Sequence, residues 1–307
     1  MSFVGQEYSS MELHQLRYFV AVAELGSFTR AAEKCDVAQP SLSQQIIKLE
    51  KELRHPLFER LGRTIRLTDA GRALYDHAVG VLAGVDEIRD RVTAATDPNR
   101  GTVAVGAIPT IAPYLLPPLL KSFAKKFPKA TLTLHENLTD AVIRSCLAGE
   151  VDVGVIASPV ANDLLYSETL FTEPLLLAMP ASHRLVKKRT VALDDLAEEP
   201  FVLMSELHCL GDQIVGFCRQ RGYSPVVRCQ GVQLLTIQEL VAQGHGVSLI
   251  PAMAHEMDRG RRCEYRTLAA PTPTRTIHLI WHKDRYQSPV VKEFIRMMRD
   301  HAAKNIQ

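Results

Sequence analysis

Two cysteines nine positions apart, Cys209 and Cys218, have the residue type and spacing that most directly suggest chemistry in this chain. Leu210, Ile214 and Phe217 recur between them at helical spacing, so the segment is predicted to form a helix that buries one face. An offset of nine residues in a helix spans about 13 Å, whereas a disulfide requires Cα atoms within about 7 Å. The two thiols can therefore be joined only if the helix unwinds, which is how a thiol switch can be built.

The residues around Cys209 favour a reactive thiol. We expect Cys209 at or just before a helix N-terminus, where backbone N–H groups and the helix dipole favour a thiolate. His208 is adjacent, and a cation such as Arg275 could complete an electropositive setting. A thiolate in such a setting reacts with peroxide to give a sulfenic acid, which a second thiol can resolve to a disulfide. Cys218 is the candidate second thiol nearest in sequence.

Two glycines lie between these thiols, and each costs a helix about 1 kcal/mol relative to alanine. Gly211 and Gly216 therefore predict a weakly held helix, which suits an element with two states. The spacing alone leaves a second reading open, in which Cys209 and Cys218 are simply buried apolar side chains. No metal site is predicted, because neither Cys-x-x-Cys nor His-x-x-x-His accompanies them. Four more cysteines are expected to be small buried residues: Cys35, Cys146, Cys229 and Cys263.

The composition is that of a globular chain of two or three domains. It has 307 residues, of which 46% are hydrophobic and 23% charged, with a formal net charge of +2. No apolar run approaches the roughly 18 residues that span a bilayer, and residues 1–10 lack an export signal. We therefore expect a cytoplasmic location and no membrane partner. In that reducing compartment a disulfide would be conditional rather than structural.

Three helices are predicted at the beginning of the chain. Gly26 ends the first, Ser27 caps the short second and Pro40 opens the third. Two short helices joined by a tight turn, the second led by small polar residues, are typical of a helix-turn-helix. Glutamine can pair with adenine, serine with a base or a phosphate, and lysine with a phosphate. The candidate DNA-binding residues here are Gln39, Pro40, Ser41, Ser43, Gln44 and Lys48.

A hairpin wing is predicted to follow, because Gly62 separates two short alternating runs. Its arginines, Arg60, Arg63 and Arg66, could straddle the backbone of a DNA duplex. Taken feature by feature, a small three-helix cap with a charged surface is the favoured explanation of the segment. The order of apolar stripe, turn, polar helix start and basic wing favours DNA binding instead.

This part of the chain resembles the winged helix-turn-helix of LysR-type transcriptional regulators. The matching motifs are LRYF (residues 16–19), GSFTRAA (26–32), QPSLSQQI (39–46), LFER (57–60) and LTDAG (67–71). The resemblance implies binding to double-stranded promoter DNA over residues 11–68, with residues 1–10 as an extension. Many members carry Arg where this chain has Gln44, so the base preferred at this position cannot be carried over from the family.

A linker helix over residues 69–98 is predicted next. Apolar residues occupy the a and d positions of a short heptad repeat, as in a seam between two helices. These residues are Leu74, Ala78, Val81, Val85, Ile88 and Val92. Packing of one helix on its own domain is the alternative. Pairing would place two DNA-reading heads on the two half-sites of a pseudo-palindrome, and the family implies a dimer of dimers with RNA polymerase as a possible partner.

The remainder, residues 101–307, alternates short apolar runs with helical stretches, which predicts an α/β domain with a largely parallel sheet. In such a sheet ligands bind where loops follow the strands, and Thr110 lies in the first such loop; a helix cap is its alternative role. Later strands resemble the two-lobed, periplasmic-binding-protein-like effector domain of the same family. By that resemblance lobe one comprises residues 101–172 and 276–307, and lobe two residues 173–275.

The cysteine segment resembles the redox segment of the peroxide-sensing members of the LysR family. The matching motifs are HCLGDQ (208–213) and GFC (216–218), with IPT (108–110) and PYLLP (113–117) resembling their pocket loop. The resemblance implies that Cys209 is peroxidatic, that Cys218 resolves it to a disulfide, and that the protein controls oxidative-stress genes. The implied hydrogen-peroxide pocket consists of Thr110, Thr139, His208, Asp212, Gln213 and Arg275. Gly211 replaces a bulkier or charged residue of some relatives, which leaves the local electrostatics open.

Two other functions stay open at this point. A regulator of the same family could respond to a small anionic metabolite held at Thr110 and nearby helix N-termini, with passive cysteines. A thiol peroxidase is a third possibility, against which the helix-turn-helix argues. We expect a regulator rather than an enzyme, and no cofactor.

Overall fold

The structure is a computed structural model that describes residues 11–61, 64–205, 208–258 and 262–304. It forms two compact units that divide between Arg89 and Asp90. Within the described ranges no helix is long and apolar enough to cross a bilayer. The predicted extension at residues 1–10 and the wing residue Arg63 lie outside these ranges.

The first unit begins with the three predicted helices, α1 (Leu13–Leu25), α2 (Phe28–Lys34) and α3 (Gln39–Leu53). Gly26 ends α1 in the left-handed region with φ 59°, and the Ser27 hydroxyl caps α2 by accepting the Arg30 N–H at 3.3 Å. Helix α3 starts at Gln39, one residue before the predicted Pro40. The turn between α2 and α3 confirms the helix-turn-helix.

A hairpin of β1 (Phe58–Leu61) and β2 (Thr64–Leu67) completes this unit. Phe19 of α1 is fully buried, with its ring centroid 5.3 Å from that of Phe58 on β1. The Glu50 carboxylate of α3 accepts the Leu57 N–H at 2.7 Å. The wing and the third helix therefore share one core and are held in a defined relation to each other.

The long helix α4 (Asp69–Thr96) ends two residues before the predicted end of the linker. Its heptad positions differ in burial: Ala78 is 1% exposed, whereas Val81, Ile88 and Val92 are 48%, 63% and 63% exposed. Packing within the chain thus accounts for the first part of the seam only. Pairing of the uncovered part with a second copy stays a prediction.

The second unit contains two hydrophobic cores, which we call lobe one and lobe two. Lobe one has a sheet in the order β4-β3-β5-β12-β6, with β3 parallel to β4 and β5. Its strands are β3 (Gly101–Ala107), β4 (Ala130–Glu136), β5 (Val153–Ile156), β6 (Leu165–Met179) and β12 (Thr274–His282). Its helices are α5 (Ala112–Lys126), α6 (Thr139–Ala148) and α10 (Pro289–Lys304).

Lobe two extends the same sheet through β6 and adds a parallel pair, β8 and β9. Its strands are β7 (Thr190–Val191), β8 (Pro200–Met204), β9 (Val226–Gly231), β10 (Ser248–Pro251) and β11 (Glu264–Leu268). Its helices are α7 (Cys209–Arg219), α8 (Leu234–Ala242) and α9 (Ala252–Glu256), with 3₁₀ turns at Arg184–Lys187 and Leu193–Leu196. The strands β6 and β12 pair side by side from Leu165 opposite His282 to Pro174 opposite Thr274. Phe171 of β6 belongs to the core of lobe one and Leu175 to that of lobe two, so the chain changes lobe within this strand.

Gly71 and Gly80 on α4 offer a test of how the start of α4 packs within the first unit. A Cβ at Gly71 would collide with the Leu57 carbonyl oxygen, whereas one at Gly80 would meet nothing within 4 Å. We expect Gly71→Ala to lower the free energy of unfolding by about 1–3 kcal/mol through overpacking. Gly80→Ala should raise it by about 0.5–1 kcal/mol because alanine favours helix. Urea unfolding followed by circular dichroism measures both, and equal effects would contradict the packing described here.

Candidate functional site

Helix α7 carries both candidate redox cysteines. Cys209 is its first residue and Cys218 its tenth, and both thiols are free. The helix predicted between them is present, so their Cα atoms are separated by about 13 Å of helical rise. A bond between the two sulfurs is incompatible with this conformation.

The two thiols belong to the cores of different lobes. Cys209 is half-buried and packs against the core of lobe one. Cys218 is fully buried in lobe two, where burial raises the pKa of its thiol to about 11. At neutral pH Cys218 is therefore a protonated, shielded thiol. It can act as a nucleophile only after α7 opens.

Of the other four cysteines, two are buried as predicted. Burial raises the pKa of the Cys146 thiol to about 12 and that of Cys263 to about 11. Cys35 and Cys229 are only half-buried, so the expectation of full burial was wrong for them. Cys35 lies at the end of α2, where the chain must turn towards α3, and Cys229 lies on β9, most of which is exposed.

The two glycines of α7 have different roles, although the sequence treats them alike. A Cβ at Gly211 would lie 2.7 Å from the carbonyl oxygen of Met204, so only glycine lets α7 approach the end of β8 this closely. A Cβ at Gly216 would meet nothing within 4 Å. Gly211 is therefore a requirement of packing, and Gly216 alone matches the predicted role of a glycine that only weakens the helix.

Thr110 and Arg275 come together in the loop after β3. Arg275 Nη1 donates to the Thr110 hydroxyl oxygen and Nη2 to the Thr110 carbonyl oxygen, both at 3.0 Å. The N-cap residue of α5 is Ile111, and no side chain makes a capping hydrogen bond there. The alternative role of Thr110 as a helix cap was therefore wrong. Thr110 is 1% and Arg275 2% exposed. The pair is thus a buried polar group at the strand end where a ligand is expected.

The electropositive setting expected around Cys209 is corrected by the structure. Arg275 Nε donates to Glu173 Oε1 at 2.8 Å, so its charge is compensated by a buried carboxylate. His208 is 8% exposed, and burial lowers the pKa of its imidazole, which favours the neutral ring at pH 7. Neither residue therefore supplies an uncompensated positive charge. Of the expected setting, only the place of Cys209 at the N-terminus of α7 is retained.

Gln213 connects α7 to lobe one. Its Nε2 donates a hydrogen bond to the carbonyl oxygen of Ala157, just after β5. Its Oε1 is buried and has no partner within the described part of the chain. A buried amide oxygen without a partner favours occupation of the neighbouring space by a donor such as water or peroxide.

The structure does not bring all six predicted pocket residues together. Asp212 is exposed and lines a groove of about 510 Å³ with Met204 and Arg219, and none of the other five predicted residues lines that groove. One step along a helix turns the side chain by about 100°, and Gln213 already faces lobe one. Thr139 is the first residue of α6 and is half-buried. Within the described ranges, Thr139 makes no hydrogen bond to Thr110 or Arg275.

Sequence reasoning missed two polar residues near this site. Glu173 is 5% exposed and accepts from Arg275, and a carboxylate directly before the apolar run of β6 was the available signal. The Ser205 hydroxyl, at the end of β8, is buried and finds no partner among the described residues. Nothing in the sequence distinguishes this serine from one in an ordinary loop.

The candidate DNA-binding residues of α3 form one exposed surface. All six are exposed except Ser43, which is half-buried and accepts a hydrogen bond from Gln39 Nε2 at 2.8 Å. Their opposite face is the stripe of Leu42, Ile46 and Leu49, each at most 1% exposed. On the wing, Arg66 of β2 is exposed and Arg60 occupies β1. The arrangement leaves the polar face of α3 free to enter a DNA groove.

A winged helix-turn-helix, a long connecting helix and a two-lobed α/β domain define a transcriptional regulator with an attached signal-receiving domain. Residues 13–72 match the family model "Bacterial regulatory helix-turn-helix protein, lysR family", and residues 96–303 match "LysR substrate binding domain". The chain therefore belongs to the LysR family of transcriptional regulators, whose members bind promoter DNA.

Similar proteins include several named for hydrogen peroxide. The "DNA-binding transcriptional dual regulator OxyR" of Escherichia coli is 35% identical over 94% of this chain and 96% of its own length. A full-length OxyR variant from Pseudomonas aeruginosa has a TM-score of 0.73 and 32% identity, covering 96% of this chain and 95% of that one. An H2O2-bound OxyR mutant of Corynebacterium glutamicum has a TM-score of 0.64 and 27% identity, covering 98% of this chain and 95% of that one.

Substitution of the two glycines tests the structure of α7. Gly216→Ala should slow amide hydrogen exchange in α7 of the reduced full-length protein about fivefold, since alanine stabilises a helix by about 1 kcal/mol over glycine. Gly211→Ala should accelerate the same exchange, because its Cβ would collide with the Met204 carbonyl oxygen. Mass spectrometry of peptides covering α7 gives both rates. Slower exchange in both variants would show that Gly211 is not a packing requirement.

Proposed function

We propose that this regulator senses hydrogen peroxide by reversible formation of a disulfide between Cys209 and Cys218, and thereby controls oxidative-stress genes. The observation that carries the proposal is that one short helix holds one thiol at its N-terminus and the other in the core of the opposite lobe. Similarity to proteins named as peroxide-inducible activators supports it.

The chemistry requires two steps. In the first, the Cys209 thiol releases its proton and the thiolate attacks one peroxide oxygen; an S–O bond forms, the O–O bond breaks, and the leaving hydroxide takes up the released proton to become water. In the second, the Cys218 thiol gives up its proton and attacks the Cys209 sulfur, the S–O bond breaks, and water leaves. Sulfur is oxidised by two electrons and peroxide is reduced to water. Thr110, His208, Gln213 and Arg275 are the polar residues proposed to hold peroxide, with Thr139 at the edge.

The second step requires α7 to open. Opening removes Cys218 from the core of lobe two and breaks the hydrogen bond between Gln213 and Ala157, which joins α7 to lobe one. Both lobes therefore lose contacts in the same event. We propose that the resulting change reaches the pairing surfaces of a homo-oligomer, a dimer of dimers, and changes the spacing of its DNA-reading heads.

We also propose that the protein acts in the cytoplasm, with promoter DNA and RNA polymerase as its partners. The protein is proposed to use one peroxide per switching event and to act as a regulator, not as an enzyme. Steady consumption of many equivalents of peroxide with a thiol reductant would indicate a peroxidase instead.

Mild peroxide should produce one intramolecular bridge between Cys209 and Cys218, because opening of α7 is the change of conformation needed to join them. Cys218→Ser should stop the reaction at a sulfenic acid on Cys209, which dimedone traps. Peptide mass spectrometry detects both products, and Cys229→Ser, also in lobe two, is the control that should still form the bridge. Absence of the bridge in the wild-type chain, with unchanged binding to operator DNA, would remove the redox mechanism and favour a metabolite-responsive regulator.

The DNA-reading residues should separate into two classes. On a duplex selected from random sequences by the wild-type protein, Gln44→Ala should cost about 1–3 kcal/mol of discrimination at one base pair. Lys48→Ala should weaken binding to every duplex and reduce the salt dependence by about one ion. Fluorescence anisotropy at several salt concentrations measures both. Lys121→Ala, an exposed lysine of α5, is the control; equal losses in all three variants would contradict the assignment of α3.

A further inference from the structure

A buried carboxylate lies beside the proposed peroxide pocket but is not part of it. The Glu173 side chain is 7% and the Arg275 side chain 0% exposed, and their ion pair measures 2.8 Å. The two residues face each other across β6 and β12. The second oxygen of Glu173, Oε2, accepts the backbone N–H of Met253 in α9 at 2.8 Å. Both carboxylate oxygens are therefore engaged, Oε1 with Arg275 on β12 and Oε2 with the start of α9.

The directions of these hydrogen bonds follow from the groups involved. The guanidinium of Arg275 can only donate, so the Thr110 hydroxyl oxygen must accept from it. The hydroxyl hydrogen of Thr110 is then left to donate to something else. Glu173 holds Nε of Arg275, which fixes the plane of the guanidinium and directs both Nη atoms at Thr110. A chain of contacts thus runs from Glu173 through Arg275 to a hydroxyl that is oriented as a donor.

We propose that Glu173 is a positioning residue for the reaction of Cys209 with peroxide, acting through Arg275 and Thr110 without touching either reactant. This inference rests on the proposed peroxide-sensing function. The leaving oxygen gains negative charge as the O–O bond breaks, and donors already held in place stabilise such charge best. Loss of Glu173 would free the guanidinium to rotate and the Thr110 hydroxyl to turn, so fewer donors would face the leaving oxygen.

A purely structural role for Glu173 is the competing explanation, since its carboxylate also anchors α9 through Met253. The two roles predict different results. A structural role would change all reactions of Cys209 alike, or only stability. A positioning role would slow the reaction with peroxide, which releases a charged oxygen, more than alkylation by iodoacetamide, which places no such oxygen at Thr110.

The test uses the full-length reduced protein with Cys218→Ser, so that the first step is observed alone. Glu173→Gln should lower the second-order rate constant with hydrogen peroxide by about tenfold or more, the effect of losing one well-aligned charge-assisted hydrogen bond. The rate with iodoacetamide should change by less than about threefold. Glu168→Gln is the matched control, because Glu168 lies on the same strand but belongs to a different ion pair. Its Oε1 accepts from Arg299 Nε at 2.7 Å. The rates of this variant with peroxide and with iodoacetamide should both match those of the parent.

A double-substitution cycle tests whether the effect passes through Thr110. Thr110→Val removes the donor, so Glu173→Gln should add little to its effect, whereas independent effects would multiply. Glu173→Asp keeps the carboxylate and should restore part of the peroxide rate. If Glu173→Gln does not fold, Glu173→Asp carries the test instead. Its rate constant with peroxide should then be about threefold lower than that of the parent, because the shorter side chain keeps only part of the charge-assisted hydrogen bond.

Each result decides the matter. An unchanged peroxide rate in Glu173→Gln, or equal losses with peroxide and iodoacetamide, would overturn the positioning role. So would fully multiplicative effects in the cycle. Failure of the proposed function has a separate signature: the parent chain itself would react with peroxide no faster than free cysteine, whatever residue stands at position 173.

Discussion

One helix cannot keep its thiols in two different cores and also let them bond, and the organisation of the second unit depends on this constraint. Cys209 packs against lobe one and Cys218 is buried in lobe two, both as members of α7. Since α7 contributes to both cores, its reduced conformation contributes to the arrangement of the two lobes. Any event that pulls the two sulfurs together must act on both lobes. In the proposed switch, a bond between the two sulfurs would therefore change the tertiary structure without a separate transmitting element.

The charges around the site are arranged to remain compensated. Burial of an unpaired guanidinium would be costly, and Glu173 offsets that cost for Arg275. Burial likewise lowers the pKa of the His208 imidazole and so favours its neutral form. In the proposed reaction, Cys209 therefore relies on the amide groups at the start of α7 and on donors held in place by a charge-compensated ion pair, not on a nearby net positive charge. Under the proposed function, such a site would favour the reaction with peroxide through the orientation of its donors rather than through a strong electric field.

Local signals predicted the local structure well. Gly26, Ser27 and the apolar stripe of α3 mark helix ends and a buried face, and these depend only on neighbouring residues. The helix between the two cysteines follows from the same periodicity. Asp212 was placed in the pocket by resemblance, and helical periodicity sends it to a different face of α7 from Gln213.

What the sequence could not predict are the contacts between distant residues. Glu173 and Arg275 are 102 positions apart, and their ion pair exists because β6 and β12 run side by side. The difference between Gly211 and Gly216 also arises from a distant neighbour, the Met204 carbonyl oxygen.

The stability of α7 and the reduction potential of the proposed disulfide are linked through the same equilibrium. Every contact that exists only in the reduced helix, including burial of Cys218 and the bond from Gln213 to Ala157, stabilises the dithiol relative to the disulfide. For a two-electron couple, 1 kcal/mol of such stabilisation raises the reduction potential by about 20 mV. Gly216, where a side chain would meet no neighbour, therefore weakens α7 without disturbing its packing and moves the disulfide towards easier formation. An α7 with alanine in place of Gly216 would require a more oxidising environment, so in the proposed switch the weakness of this helix contributes to the threshold of the response.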